Sequence, residues 1–176
     1  SFANVDAFPI CIESQDVEIV VQTVKQIAPS FGGINLEDIA APRCFEIEER
    51  LKKELDIPVF HDDQHGTAVI VLAGIINGLK VVGKKIEDAA VVVSGAGAAG
   101  TAISKLLVSS GIKDVIICNS KGILDKNDEK LDPIRKEMAL KTNKTNKKGS
   151  LADAMAGADI FIGVSAPNIV TKEMIE

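Results

Sequence analysis

The chain has 176 residues, of which 46% are hydrophobic and 26% are charged, and its formal net charge is −5. A chain of this length and apolar content buries a substantial core. The acidic excess argues against nucleic acid and against an anionic membrane as partners, since both attract basic surfaces. Tryptophan and tyrosine are absent and only six phenylalanines occur, which is too few for a base-stacking platform. Composition therefore predicts a soluble, cytoplasmic enzyme domain.

Hydrophobic periodicity predicts helices and strands along the whole chain. In chain order they are a helix at 17–28, a helix at 42–55, a strand at 57–60, a buried helix at 68–79, a strand at 90–93, a helix after the following glycines, a strand at 115–118, a helix at 151–156 and a strand at 159–164. Residues 121–150 form a polar interruption. The apolar run at 68–79 is too short to cross a membrane, which takes about 20 apolar residues, so a helix ending near Gly83 explains it.

The three cysteines, Cys11, Cys44 and Cys118, lie in or beside apolar runs without metal-ligand spacing. Buried, reduced thiols are therefore predicted. Both ends of the sequence look cut, because the first residues run at once into an apolar segment and residues 171–176 resemble a first helical turn without continuation. We expect the chain to be a fragment of a longer protein.

A glycine-rich turn follows the strand at 90–93. It comprises Gly95, Ala96, Gly97, Ala98, Ala99 and Gly100. In the GxGxxG pattern the first glycine permits the tight turn, the second lets a pyrophosphate approach the backbone, and the third lets the helix pack on the sheet. The strand at 115–118 completes a βαβ unit. The fold class predicted is α/β, a Rossmann-type doubly wound parallel sheet that binds a dinucleotide at 95–100, with part of an α/β domain before it.

The end of the second strand differs from the usual pattern. An acidic residue commonly binds the adenosine ribose there, whereas this chain has Asn119, followed by Ser120 and Lys121. Without the carboxylate a 2′-phosphate meets no repulsion, and Ser120 or Lys121 can donate to it. The cofactor predicted is therefore NAD or NADP. For most of the eight lysines and Arg135 between residues 121 and 150, a solvated surface loop is the favoured interpretation.

Two acidic pairs follow apolar segments. Glu37 and Asp38 come before the helix at 42–55, and Asp62 and Asp63 follow the strand at 57–60. Carboxylate oxygens suit Mg²⁺ or Mn²⁺. Alternatively, each pair caps the helix behind it. Zinc is disfavoured, because His61 and His65 have no Cys or His partners to complete a tetrahedral set.

Four ungapped motifs together resemble the malic enzymes, in particular their bacterial-type short form. They are FGGINLEDI at 31–39, APRCFE at 41–46, FHDDQHGT at 60–67 and SGAGAAG at 94–100. The resemblance covers essentially all 176 residues. It implies that Glu37, Asp38 and Asp63 are metal ligands and that Asp62, a catalytic-site residue, pairs with the catalytic lysine. It also implies two parts, with residues 1–60 ending a substrate and metal domain and residues 61–176 forming an incomplete NAD(P)-binding domain.

The resemblance further implies the reaction. The expected activity is oxidative decarboxylation of (S)-malate to pyruvate and CO₂ with reduction of NAD(P), dependent on Mg²⁺ or Mn²⁺, in a homodimer or a dimer of dimers. In the family the general base is a lysine and the general acid a tyrosine, both placed before Ser1, and this chain has no tyrosine. The fragment alone is therefore expected to be inactive.

Two other functions stay open from the residues alone. One is a metal-independent, two-domain NAD(P) dehydrogenase, and the other is a non-catalytic nucleotide-sensing module. Both would retain the glycines of the turn, but neither has a use for three converging carboxylates. Metal binding by Glu37, Asp38 and Asp63 therefore discriminates among the three functions.

Overall fold

Two β-sheets organise residues 4–176, the part of the chain that this computed structural model describes. The first sheet pairs β1 (Ile34–Leu36) with β2 (Val59–His61) in parallel. The second contains β3 (Ala90–Ser94), β4 (Asp114–Asn119), β5 (Gly122–Ile123) and β6 (Ile160–Gly163), in the spatial order β5-β4-β3-β6. In this sheet β3, β4 and β6 are parallel, and the short edge strand β5 is antiparallel.

The helices surround these sheets. They are α1 (Val17–Ile27), α2 (Arg43–Glu54), α3 (Thr67–Val82), α4 (Ala98–Ser109), α5 (Pro133–Lys141), α6 (Leu151–Met155) and α7 (Lys172–Ile175), and a π-helical turn (Asp62–Gly66) leads into α3. The predicted bounds of α1, α2 and α6 agree with the structure to within one residue. Asp16 accepts the Ile19 N–H at 3.0 Å at the start of α1.

The first sheet shares one apolar core with α1 and α2. Val21 of α1 and Ile47 and Leu51 of α2 are almost fully buried, and they pack with Leu36 and Val59 of the strands. Because the two helices contact each other and α2 contacts β2, this core fixes where β1 and β2 end. Those ends carry the two acidic pairs.

Helices cover both faces of the second sheet. Along β3, Val91 and Val93 point into a core with α3, α4 and α5, whereas Val92 points to the opposite face and packs with Ala154 of α6. This alternation follows from the two-residue period of a strand. Burial on both faces explains the uninterrupted apolar run in the sequence and confirms the predicted Rossmann-type α/β fold.

Helix α3 differs from its prediction in both length and burial. With the π-helical turn it forms a helical stretch of 21 residues, Asp62–Val82, which is long and apolar enough to cross a membrane by length and composition alone. The helix ends at Gly83 in the left-handed conformation, φ 67°, as expected. The prediction of a buried helix was wrong, because only one face of α3 packs on the domain while Ile70 and Val81 are exposed. The prediction that this segment is too short to cross a membrane was also wrong, since the helical stretch reaches 21 residues; length and composition alone do not distinguish a membrane span from a core helix of a soluble protein.

The polar interruption at 121–150 also contains regular structure. Asp132 accepts N–H groups of Ile134 and Arg135 at 3.1 and 3.0 Å and so begins α5, with Pro133 in the first turn. Met138 is buried in the core of the second sheet. Only Met138 and Ala139 of this nine-residue helix are buried, so its periodic signal is too short to predict a helix within a polar segment.

The thiols are divided between core and surface. Cys44 and Cys118 are buried, as predicted, but Cys11 is exposed, so that prediction was wrong. Burial raises the pKa of the Cys44 thiol and of the Cys118 thiol to about 11 in each case. The two buried thiols therefore stay protonated at neutral pH.

We expect Ellman's reagent at pH 8 to modify one thiol of this 176-residue chain rapidly. Cys44 and Cys118 should react only as fast as the chain unfolds, because a pKa raised by about two units lowers the thiolate fraction roughly 100-fold and burial blocks access. The measurement is the time course of thionitrobenzoate release. Cys11→Ser should abolish the rapid phase, and a second rapid equivalent in that variant would contradict the assignment.

Candidate functional site

The glycine turn joins β3 to α4 by a close backbone contact. Gly95 has φ 128°, which side-chain-bearing residues rarely adopt, and its N–H donates to the Cys118 carbonyl at 2.9 Å. A Cβ on Gly100 would overlap the Gly95 carbonyl oxygen. Gly97 is exposed, and nothing lies within 4 Å of the position that its Cβ would occupy. The turn is therefore tight on its inner side and open at Gly97, where a ligand has access.

The glycine turn lies where the strand order reverses. The chain passes from β3 to β4 on one side and later returns to β6 on the other. In open α/β sheets ligands bind at such a switch point, beyond the carboxyl ends of the strands. Val164 follows β6, and its N–H donates to the Ser94 carbonyl at 2.9 Å, while the hydroxyl oxygens of Ser94 and Ser165 lie 3.2 Å apart. Sequence reasoning missed Val164 and Ser165, because the strand order is needed to find them.

Asn119 lies at the end of β4, one residue past the Cys118 carbonyl that holds the glycine turn. Its side-chain oxygen accepts the Lys121 N–H at 2.8 Å, which closes the turn into β5. Ser120 and Lys121 are exposed in this turn. The structure thus places all three predicted ribose-side residues at the same sheet edge as the glycine turn.

Arg135 places a cation at the glycine turn. From α5 its Nε donates to the Ala96 carbonyl of the glycine turn at 2.9 Å, and its Nη1 lies 3.2 Å from the Asp132 carboxylate. From the sequence, Arg135 was predicted to lie in a solvated surface loop together with most of the lysines of residues 121–150. No signal in the sequence separates it from the neighbouring lysines, because its contact spans 39 residues of chain.

The acidic pairs leave neighbouring parallel strands at the same edge. Leu36 is paired with His61, so Glu37 and Asp38 emerge beside Asp62 and Asp63. The Asp38 N–H donates to Asp63 Oδ2 at 2.9 Å. Asp38 has φ 58°, a left-handed conformation that aspartate tolerates better than most residues.

The structure brings the Asp38 backbone N–H to the Asp63 carboxylate, and the side chains of Glu37, Asp38 and Asp62 are exposed. Within residues 4–176, no three His, Cys, Asp or Glu side chains are arranged as a metal-binding group. Neither acidic pair provides a side-chain cap for α2, the π-helical turn or α3. The ligand set of Glu37, Asp38 and Asp63 therefore stays a prediction, and the capping alternative has no hydrogen bond to support it.

A buried carboxylate anchors the turn that carries Asp62 and Asp63. Glu48 of α2 is 7% exposed and lies 3.2 Å from Gln64 Nε2, 2.6 Å from His65 Nε2 and 2.7 Å from Lys52 Nζ. Gln64 and His65 both belong to the π-helical turn. This network holds the turn against α2. The sequence does not predict it, because Glu48 is one of several charged residues in a helix and nothing local shows that it is buried.

His61 ends β2 directly before the acidic residues. Its side chain is fully buried, and neither ring nitrogen has a hydrogen-bond partner in the described part of the chain. Asp63 Oδ2 is a charged atom close to it, 3.8 Å from Nε2. A buried imidazole without partners beside a carboxylate is uncommon in a folded protein.

These features define a class of protein. A glycine turn at the switch point of a doubly wound sheet is the site of a nucleotide-binding α/β domain, and here it accompanies a smaller parallel pair of strands that ends in carboxylates. The comparisons with known proteins agree. Residues 64–176 match the family model described as the NAD binding domain of malic enzyme, and residues 8–52 match the model of its N-terminal domain. The chain therefore belongs to the malic enzyme family.

Similar proteins are found by sequence and by structure. The NAD-dependent malic enzyme of Geobacillus stearothermophilus is 58% identical over 175 residues, and the bifunctional malic/malolactic enzyme of Bacillus subtilis is 54% identical over 177. The crystal structure of the NAD-dependent malic enzyme from Thermotoga maritima superposes with a TM-score of 0.95 at 52% identity. Each match covers 99–100% of this chain but only 37%, 43% and 47%, respectively, of the other protein.

We expect Gly97→Ala and Gly100→Ala to separate binding from stability. Gly97→Ala should leave the melting temperature within about 2 °C of wild type, because the added methyl group meets open space, yet weaken cofactor binding by blocking the pyrophosphate. Gly100→Ala should lower the melting temperature, because its methyl group overlaps the Gly95 carbonyl. The measurements are thermal unfolding and calorimetric titration with NAD and NADP on the full-length protein. Equal melting temperatures for the two variants would contradict this division.

Proposed function

We propose that the full-length protein catalyses the oxidative decarboxylation of (S)-malate to pyruvate and CO₂ with reduction of NAD or NADP. One observation carries the proposal. The glycine turn and the Asp38–Asp63 contact occur in one chain that belongs to the malic enzyme family. The names of the similar proteins support the nicotinamide cofactor, since they include NAD-dependent and NADP-dependent malic enzymes.

The acidic edge fits a divalent cation. Its donors are carboxylate oxygens, the ligands that Mg²⁺ and Mn²⁺ prefer, and the buried His61 ring offers a hydrogen bond beside Asp63. In this proposal Glu37, Asp38 and Asp63 hold Mg²⁺ or Mn²⁺. When bound, the ion supplies Lewis-acid polarisation of the C2 oxygen during the loss of CO₂.

The residues of this chain then have separate roles. Gly97 leaves room for the pyrophosphate, which accepts hydrogen bonds from free N–H groups at the start of α4. Ser94 and Ser165, at the carboxyl ends of β3 and β6, would lie beside the nicotinamide, which would supply the acceptor for the hydride of malate C2. Asp62 positions the general base, which the family resemblance assigns to a lysine. That lysine and the tyrosine that serves as general acid are outside the 176 residues in this proposal, so the chain alone is inactive.

The proposal includes both nicotinamide cofactors. Asn119 places no negative charge beside the ribose, and the nearby cations Lys121 and Arg135 favour a phosphate. NADP is therefore accepted, with an efficiency comparable to that of NAD. The substrate and product, malate and pyruvate, and the assembly as a homodimer or a dimer of dimers follow from the family resemblance.

Asp63→Asn tests the metal's role. In the full-length enzyme this variant should fold normally, bind Mn²⁺ more weakly because an anionic ligand becomes a neutral amide, and decarboxylate added oxaloacetate about 100-fold more slowly or worse. The measurements are Mn²⁺ titration by electron paramagnetic resonance and pyruvate release from oxaloacetate.

Asp88→Asn is the matched control for the loss of one negative charge. Asp88 is exposed and precedes β3, at the end of the sheet opposite the glycine turn, so we expect wild-type values. An unchanged decarboxylation rate in Asp63→Asn would remove the Lewis-acid role from this site. If the wild type did not bind Mn²⁺, a metal-independent dehydrogenase or a nucleotide-sensing module would be the better function.

Asn119→Asp tests the cofactor preference. We expect it to shift kcat/KM toward NAD, because a carboxylate accepts hydrogen bonds from the ribose hydroxyls and repels a 2′-phosphate. Each effect is worth about 1–3 kcal/mol, which is roughly a 5- to 150-fold change in the NADP/NAD ratio. The measurement is kcat/KM for both cofactors in the full-length enzyme. The control is Asn127→Asp, an exposed asparagine of the same polar segment, and an unmoved ratio in Asn119→Asp would show that residue 119 does not face the ribose.

A further inference from the structure

His61 has no evident structural reason to be a polar residue. It is 0% exposed, and neither Nδ1 nor Nε2 has a hydrogen-bond partner among residues 4–176. Leaving a buried polar group unsatisfied costs about 1–3 kcal/mol. An apolar side chain of similar size would avoid this cost, so an imidazole at this position requires an explanation outside the stability of the core.

The position of His61 in β2 directs its ring. Val59 and His61 are buried while Phe60 between them is exposed, as expected for alternate residues of a strand. The imidazole therefore points inward, on the side of the core that contains Val59. From there its Nε2 lies 3.8 Å from Asp63 Oδ2, which exceeds a normal hydrogen bond by roughly 0.6 Å.

Asp63 lies between this buried ring and solvent. Its side chain is 43% exposed, and its Oδ2, the oxygen nearest His61, already accepts the Asp38 N–H at 2.9 Å. The flanking turn is fixed by the contacts of Gln64 and His65 with Glu48. These contacts fix the backbone of the turn, but they do not by themselves fix the rotamer of the Asp63 side chain.

We propose that His61 is a positioning residue for Asp63, to whose carboxylate its Nε2–H donates in the metal-bound enzyme. A neutral imidazole carries one N–H donor, which is sufficient. The bond holds one carboxylate oxygen toward the protein interior and leaves the other for the cation. Groups that hydrogen-bond to metal ligands orient them in this way, and their loss weakens metal affinity about 10- to 100-fold. The inference rests on the proposed metal site.

The test uses Mn²⁺ alone, without substrate, on the full-length protein. His61→Leu removes the donor and retains an apolar volume, whereas His61→Gln places an amide nitrogen near the position of Nε2. We expect a Mn²⁺ dissociation constant about 10- to 100-fold higher for His61→Leu, and one within roughly threefold of wild type for His61→Gln, since the donor is restored. Binding is measured by electron paramagnetic resonance and calorimetry.

A metal-free melting curve separates positioning from a structural role. Because leucine replaces an unsatisfied polar group, the metal-free His61→Leu protein should melt at or above the wild-type temperature. Asn35→Ala is the control for substitution in the smaller sheet, since Asn35 of β1 is exposed on the side away from this core, and should retain wild-type Mn²⁺ affinity. A stable His61→Leu protein with unchanged Mn²⁺ affinity overturns the inference.

If His61→Leu does not fold, the comparison of His61→Asn with His61→Gln tests the same role. His61→Asn has an amide that is too short to reach the Nε2 position, so we expect it to bind Mn²⁺ more weakly than His61→Gln. Equal Mn²⁺ affinity in these two variants overturns the role of His61 and leaves the proposed function intact. Absence of Mn²⁺ binding in the wild type overturns the proposed metal site and the role of His61 together.

Discussion

The close approach of α4 to the turn before it is the constraint on which the nucleotide-binding half depends. A Cβ on Gly100 would overlap the Gly95 carbonyl oxygen, so the helix can start this near the sheet only because the third glycine has no side chain. The same turn is bonded to β4 through the Cys118 carbonyl and lies against Val164 after β6. Together these backbone contacts set the positions of three strand ends at the glycine turn. Hydrophobic burial on both faces of the sheet then holds that arrangement.

A second constraint is the direction of the strands. Parallel pairing places the residues that follow neighbouring strands at one edge, and it does so independently in each sheet. In the smaller sheet it brings the Asp38 N–H to the Asp63 carboxylate. The two buried polar residues next to this edge, Glu48 and His61, differ in their hydrogen bonding. Glu48 has three partners and fixes the π-helical turn, whereas the ring of His61 has none within residues 4–176, which is why its role is attributed to the proposed metal site and not to the fold.

Most of the helices and strands, and the class of the larger sheet, follow from local sequence. Strand and helix periods are local properties, so β3, α4 and β4 can be predicted from residues 90–119 alone, and the glycine spacing marks the nucleotide turn between them. The four malic enzyme motifs are also contiguous, so the family resemblance is a property of the amino-acid sequence itself. Capping residues are local too, and Asp16 and Ser150 begin α1 and α6 close to their predicted starts.

Contacts between distant residues were decided only by the tertiary structure. The burial of α3 was mispredicted, because an apolar sequence does not reveal which of its faces has a neighbour. Arg135 reaches the glycine turn across 39 residues, and Ser165 approaches Ser94 across 71, so neither contact leaves a local pattern. The strand order β5-β4-β3-β6, and with it the switch point between β4 and β6 on either side of β3, likewise follows from which apolar surfaces meet. Side-chain pattern specifies most of the helices and strands, but only packing specifies their neighbours.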